Sequence, residues 1–348
     1  MVKRTRKPLN DIPHSMQLEL VWGCNRRCWF CGIHDIPDKQ FKYMDLEIAV
    51  GVAKECATWK PNMRMEFGTG GEPTLHPQFF DIVDGLRTHC PKMQIMVQTN
   101  VEPWAKGMSE AREWIGEWFV AGGNILVLNC YQKGLKEKMA QWMGGMGWDV
   151  IDFYNDNPLH RSMYHNKGPR TQEIFLCEDL GTMTLSGGTG KVAQRWINNQ
   201  GGSVPEKSLQ HAGLKQITTP LKRRCVQPFR QLVLSWDGKA PLCCYDWLDR
   251  LVVGKFPDQS LQEIWNGRLF QLARMLLHKG ERGFSPCQTC DFHGGFRVGL
   301  LDKPKLDIPV NIARNELRSA VNAQAKKWAP YQKKGYNRLG DIVKREIE

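Results

Sequence analysis

Cys24, Cys28 and Cys31 stand at C-x3-C-x2-C spacing in the run GCNRRCWFCG. Thiolate is the soft donor that zinc and iron–sulfur clusters take, so thiols packed this closely read as a metal-binding group. A closed tetrahedral site takes four protein ligands. A 4Fe–4S cube held by these three would leave one iron open to a substrate or cofactor. His34 would instead complete a zinc site of three cysteines and one histidine.

A second group lies toward the C-terminus. Cys225, Gly238 and Cys243 are spaced C-x12-G-x4-C, and Cys287 and Cys290 follow as C-x2-C. Four thiols would close a cube, leaving no open iron and suiting electron transfer. Zinc is the alternative, bound by all four cysteines or by three with His293. Cys244 competes with Cys243 as ligand; the spacing from Gly238 favours Cys243. Cys56, Cys90, Cys130 and Cys177 stand alone and read as small buried hydrophobes.

The elements around the first group read as alternating strands and helices. An apolar run from Met16 to Gly23 predicts a strand ending at the cysteine loop. MDLEIAVGVAKECATW has helical period, with Asp45 near its start. Met63–Phe67 predicts a strand that breaks at the glycine loop of GGEP, Gly70–Pro73. PQFFDIVDGLRTHC, MSEAREWIGEWFVAGG and LKEKMAQWMGGMG read as helices. MQIMVQTN, NILVLNCY and DVIDFYND read as strands. Strand–helix repetition means parallel strands joined by crossover helices, with the ligand at the strands' carboxyl ends. The cysteine loop, the Gly-Gly-Glu loop, Thr99-Asn100 and Cys130-Tyr131 all fall at such ends. Asp152, Tyr154 and Asp156 close the fifth strand without an assigned role.

From about 155 to 221 the pattern weakens. SGGTGK lacks the spacing of a phosphate loop and reads as a turn. Near the second cysteine group, FRQLVLSWDGKAPLCC predicts a hairpin turning at Asp237-Gly238 that brings Cys225 and Cys243 together. SLQEIWNGRLFQLARMLLHKG predicts one helix capped by Ser260. A terminal helix is expected over Ala313–Trp328.

This pattern resembles the radical S-adenosylmethionine (SAM) superfamily: three cysteines with Phe30 before the last, and Gly-Gly-Glu after the second strand. The resemblance covers roughly Gln17 to Asp156. It implies that the open iron is chelated by SAM, and that electron transfer splits SAM into methionine and a 5′-deoxyadenosyl radical. That radical takes a hydrogen atom from the substrate. It further implies SAM contacts from Gly70, Gly71 and Glu72, with weaker carry-overs at Thr99, Asn100 and Asn129, and Phe30 near the adenine. The second group, with CYDW and LQEIWN, resembles the SPASM/twitch extension of such enzymes. Full SPASM domains carry seven cysteines; here four remain, which favours the shorter, twitch-like form with one auxiliary 4Fe–4S cluster.

The expected architecture is therefore α/β: a partial (β/α)6 TIM-like barrel (15–221) and a small C-terminal α+β iron–sulfur domain (222–296). A basic arm (1–14) and a basic helical tail (297–348) flank them. The expected activity is hydrogen abstraction leading to oxidation or cross-linking, with the auxiliary cluster as electron relay and an external donor such as flavodoxin or ferredoxin. The sequence leans toward a peptide or protein substrate, although no leader-recognition unit precedes the barrel.

Net charge is 48 − 36 = +12. Lys3, Arg4, Arg6 and Lys7 open the chain, and nine basic against four acidic residues follow Asn311. Such ends suit an acidic partner. With Trp328, Tyr331 and Tyr336 among lysines, they keep RNA modification as an alternative function. A third possibility is a non-catalytic metal-binding protein that retains the fold. Twelve cysteines without a secretion signal or an apolar span point to a cytoplasmic setting.

Overall fold

The computed structural model describes residues 12–28, 30–33, 41–60, 62–68, 70–152, 172–178, 199–204, 206–211, 215–294 and 305–332. Its centre is a seven-stranded sheet in the order β7-β8-β6-β5-β4-β1-β9, with every pairing parallel. The strands are β1 (Ser15–Leu18), β4 (Arg64–Phe67), β5 (Gln94–Thr99), β6 (Ile125–Cys130), β7 (Asp149–Asp152), β8 (Glu173–Glu178) and β9 (Gln231–Leu234). The short strands β2 (Val21–Trp22) and β3 (Lys42–Tyr43) pair antiparallel beside it.

Helices α1 (Leu46–Trp59), α2 (Phe79–His89), α3 (Met108–Val120) and α4 (Leu135–Met143) form the crossovers. Asp45 caps α1, its carboxylate accepting from Glu47 N at 2.9 Å. Such a cap contributes about 1 kcal/mol. Ala49, Val52, Ala53 and Cys56 then make one buried stripe at i, i+3, i+4, i+7.

Alternation within the strands separates two environments. Met16, Leu18, Met65, Phe67, Ile95, Val97, Leu126, Leu128, Ile174 and Leu176 belong to the main core with the helices. Their in-between neighbours line the other face. Toward β7 and β8 that face is apolar, with Met96, Ile125, Val127, Ile151, Phe175 and Cys177 clustered together. Toward β1 and β4 it is polar, with Ser15, Gln17, Arg64 and Glu66. Strands covered on both faces are expected of a parallel sheet, but a half-polar inner face marks the part that binds something.

Three expectations change. β8 lies in the stretch where the sequence pattern weakens, and it inserts between β6 and β7. The turn at Asp237-Gly238 forms, with Gly238 at φ +80 and Ser235 N donating to Lys239 O. It does not close a hairpin ladder: β9 joins the main sheet beside β1, while β10 (Lys239–Pro241) pairs antiparallel with β11 (Val252–Lys255). The expected single helix after Ser260 is two, broken at Gly267, whose ψ of 151 is extended rather than helical. Numbering in chain order past α5 (Glu206–His211) and α6 (Gln227–Arg230), these are α7 (Leu261–Asn266) and α8 (Arg268–His278). Ser260 caps α7 with a full capping box.

The terminal helix, α9, spans Val310–Gln332. The four isolated cysteines are buried. His34, Tyr154, Asp156, SGGTGK and Tyr336 lie outside the described residues. No described helix is long and apolar enough to cross a membrane.

Candidate active site

The carboxyl ends of β1, β4, β5 and β6 converge as the sequence requires. Gly23, at φ +125, takes a conformation open chiefly to glycine and starts the cysteine loop. Gly71 bridges to Gly23 in parallel fashion, and Glu72 N donates to Gly23 O at 3.0 Å. A side chain at Gly71 would collide with the Val21 and Gly23 carbonyls, so glycine is required there for close packing.

Glu72 is 3% exposed. Its Oε1 accepts from Thr74 N at 3.2 Å and Thr74 Oγ1 at 2.6 Å, and its Oε2 from Asn100 N at 2.7 Å. Burial pushes this carboxyl above its usual range. Thr99 also hydrogen-bonds this carboxylate, so its roughly four acceptor positions are used within the protein and its charge is what it offers the cavity.

Asn100 turns toward the cysteines. Its Nδ2 lies 3.5 Å from Cys24 Sγ and donates to Asn25 Oδ1 at 2.8 Å. Thr99 Oγ1 accepts from Val101 N at 3.1 Å. Burial raises Cys24 to about 11 and Cys31 to about 12; the charges of Glu72 and Cys28 add to the penalty at Cys24, and those of Cys28 and Cys24 at Cys31. Half-buried thiols this costly to ionise alone favour a cation beside them, since a bound metal deprotonates a coordinating thiol outright. The donor set is all sulfur, which is the iron–sulfur choice.

A cavity of about 510 Å³ opens on these thiols, a volume typical of small-molecule sites. Cys24, Cys28, Cys31, Phe30, Gly71, Glu72, Thr99, Asn100 and Asn129 all line it. Of the sequence-derived SAM contacts, only Gly70 is absent from the lining; its N–H is taken by Glu19 Oε1 at 3.0 Å. Glu19 also accepts from Trp236 N at 3.4 Å, and burial holds its carboxyl well above the usual range. It ties the Gly-Gly-Glu loop to the turn after β9.

Several lining residues carry no signal in a local motif. Tyr131 packs against Phe30 (5.7 Å between ring centroids) and lies under the Arg26 guanidinium (5.2 Å). Arg26 is in turn paired with Glu102. Gln17, Arg64, Glu66, Gln98, Arg230 and Gln231 line the polar wall. Their alternate positions on adjacent strands could have flagged them.

In the second group Cys225, Cys243, Cys287 and Cys290 are all buried, and burial chiefly raises their pKa values, Cys290 reaching about 11; the charges of Cys287, Cys290 and Cys225 add to the penalty at Cys243. Arg282 braces them, donating to the carbonyls of Arg223 (2.9 Å), Arg224 (3.2 Å) and Phe292 (2.7 Å). His293 Nδ1 sits 3.2 Å from Arg223 Nη1. Of the vicinal pair, Cys243 is buried and feels Cys287, Cys290 and Cys225, whereas Cys244 lines the cavity and feels Glu66 as well as Cys225 and Cys290. Asp152 pairs with Lys136 at 2.7 Å, an ordinary strand-end ion pair.

An α/β sheet with an open three-thiol loop at its carboxyl ends and a second, closed thiol group defines an iron–sulfur radical enzyme class. The radical SAM superfamily model matches residues 19–149, and the iron–sulfur cluster-binding SPASM domain matches residues 225–291. The chain belongs to the radical SAM superfamily and carries a SPASM domain. Its cofactors are SAM and 4Fe–4S clusters, and it is an oxidoreductase-type enzyme.

The chain is 21% identical over 284 residues to an S-adenosyl-L-methionine-dependent 2-deoxy-scyllo-inosamine dehydrogenase of Niallia circulans, covering 79% of this chain and 92% of that one. In fold it is similar to the crystal structure of BtrN in complex with AdoMet and 2-DOIA. The TM-score there is 0.57 at 16% identity, over 81% of this chain and 94% of that one. BtrN in an open conformation gives 0.52 at 15% identity, over 81% and 93%.

Proposed function

We propose that this enzyme oxidises a secondary alcohol on a small polar molecule, a cyclic polyol or amino polyol, to the ketone. The observation that carries this reading is that one cavity joins the three-thiol loop to Cys244 and Tyr245, directly after Cys243, with a hydrogen-bonding wall between them. A dehydrogenation needs all three: a hydrogen-atom acceptor, a bound alcohol and an electron sink. The relative from Niallia circulans, named for oxidising an inosamine, supports the same class.

In this reading Cys24, Cys28 and Cys31 hold the SAM-binding cluster. Cys225, Cys243, Cys287 and Cys290 hold the auxiliary one, which supplies no open iron. When bound, the first cluster and SAM together supply reductive sulfonium cleavage and thereby a hydrogen-atom acceptor. Glu72, held by Thr74, Thr99 and Asn100, would present its carboxylate charge to the SAM ammonium group. Asn100 fixes the loop carrying Cys24. Phe30 and Tyr131 form the aromatic wall beside the adenine and keep water from the reacting centre. A peptide substrate, toward which the sequence leans, fits a cavity of about 510 Å³ less well than one small ring does.

The test is anaerobic incubation of reconstituted protein with dithionite, SAM and 2-deoxy-scyllo-inosamine. Equimolar 5′-deoxyadenosine and ketone are expected. 5′-Deoxyadenosine without ketone, across a panel of polyols, would sink the alcohol reading. Tight RNA binding with a steep salt dependence would favour the RNA-modifying alternative.

A further inference from the structure

The polar wall contains an acceptor with nothing to accept. Gln17 is 8% exposed, and its Oε1 is buried without a hydrogen-bond partner among the described residues. Leaving a buried carbonyl unpaired costs about 1–3 kcal/mol, and this one, on the cavity wall, is placed to be filled by a donor that enters the cavity. Gln17 lies directly across the β1–β4 pair from Glu66, and both face the cavity. Gly68, the next residue on that face of the chain, has no side chain to cover them.

Glu66 is held rather than spent. Gln231 Nε2 donates to its Oε2 at 2.8 Å. The Arg64 and Arg230 cations stand near it, and Arg64 is itself fixed by Gln94 Oε1 at 2.7 Å. Ser15 also hydrogen-bonds it; every partner named here stabilises the carboxylate, and Glu66 lines the cavity.

We propose that Glu66 is the proton acceptor for the substrate hydroxyl and that Gln17 Oε1 receives a neighbouring hydroxyl or ammonium donor on the same ring. This rests on the alcohol-oxidation reading above and names the chain's own groups in it. The step balances. The C–H hydrogen leaves as an atom to the acceptor that SAM cleavage provides. The O–H proton passes to Glu66. As the C=O bond forms, the remaining electron needs a one-electron acceptor, which the auxiliary iron–sulfur cluster that Cys225, Cys243, Cys287 and Cys290 would hold could supply. Burial raises the Glu66 carboxyl toward the working pH, which improves it as a base. The charged or titratable groups set around it are Arg64, Arg230 and Cys244.

The experiment uses ring-perdeuterated 2-deoxy-scyllo-inosamine with the loaded wild type, Glu66→Gln, Glu66→Asp and Gln17→Leu. Deuterium in 5′-deoxyadenosine reports hydrogen transfer, ketone reports completed oxidation, and calorimetry reports binding. In the wild type, one ketone is expected per deuterium transferred. In Glu66→Gln that ratio falls by about 10²-fold, and Glu66→Asp restores part of it. Gln17→Leu leaves the ratio intact and weakens binding about tenfold.

A Glu66→Gln ratio equal to wild type, or a parallel loss of deuterium transfer and ketone with unchanged iron content, would overturn the base assignment alone. If Glu66→Gln does not fold, the Glu66→Asp ratio decides by the same criterion. A wild type that neither binds nor deuterates any ring alcohol would remove the alcohol reading itself.

Discussion

The backbone N–H of Asn100 donates to Glu72 Oε2 at 2.7 Å, while the Asn100 side chain reaches Cys24 Sγ at 3.5 Å. One residue thereby couples the ends of β4 and β5 to the cysteine loop. Glu72→Gln puts an amide where donors from Thr74, Thr99 and Asn100 converge, so its N–H groups face donors. Hydrogen bonds to a charged group are worth about 1.5–3 kcal/mol, and an unfolding free energy lower by about 2 kcal/mol is expected. SAM affinity should fall as well. A variant that melts like wild type and binds SAM equally would show that the carboxylate does neither job.

The two thiol groups predict separable iron. Anaerobic reconstitution should give about eight irons per chain, and about four after Cys24→Ala, Cys28→Ala and Cys31→Ala are combined. Replacing Cys225, Cys243, Cys287 and Cys290 together should remove the other four. The sharper comparison is between vicinal cysteines. Cys243→Ala should lose auxiliary iron and Cys244→Ala keep it, because Cys243 is buried beside Cys225, Cys287 and Cys290 while Cys244 is half-buried and lines the cavity. Iron loss from Cys244→Ala alone would reverse that assignment.

The motif residues were legible because each needs a particular type at a particular strand end. Thiol spacing named the loops, and apolar periodicity named the strands that carry them. What was not legible depends on long-range pairing. Ser235–Lys239 is a good turn, yet β9 pairs with β1, some two hundred residues earlier, because Leu232 and Leu234 complete the main core. β8 was hidden because its apolar residues Ile174, Phe175, Leu176 and Cys177 are all buried, leaving no alternation to read. Gln17, Arg64 and Glu66 belong to no motif. They become a set only when register puts Gln17 beside Glu66.

Close packing at the Gly-Gly-Glu loop yields a mutational contrast. Gly71→Ala drives a methyl group into the Val21 and Gly23 carbonyls, which are backbone atoms and cannot swing aside. A loss of about 1–3 kcal/mol is expected, with weaker cluster retention because Gly23 starts the cysteine loop. Gly116→Ala is the control: nothing lies near its added methyl, and alanine favours the α3 helix by about 1 kcal/mol. Thermal denaturation of both variants checks the pair. Equal melting would mean that the loop yields.

His76 adds a pH-dependent lock next to the same loop. Its Nδ1 accepts from Gln78 N at 3.0 Å, so Nε2 carries the proton and donates to Met44 O at 2.8 Å. Burial holds its pKa below the ordinary 6.5, and nearby Asp81 offsets only part of this. The unfolded chain therefore binds the proton first as pH falls. The stability held by neutral His76 is complete above 6.5, and is lost as pH drops through 6.5 toward the folded value. Asp249, raised to about 7 chiefly by burial, acts oppositely: its contribution is complete below 3.8 and declines as pH rises through about 7. The two cancel in part, so the wild-type curve alone does not isolate His76. His76→Asn keeps an acceptor for Gln78 N and removes the titration. The gap in melting temperature between wild type and His76→Asn should shrink steadily from pH 7.5 to 5. A constant gap would place the pH response elsewhere.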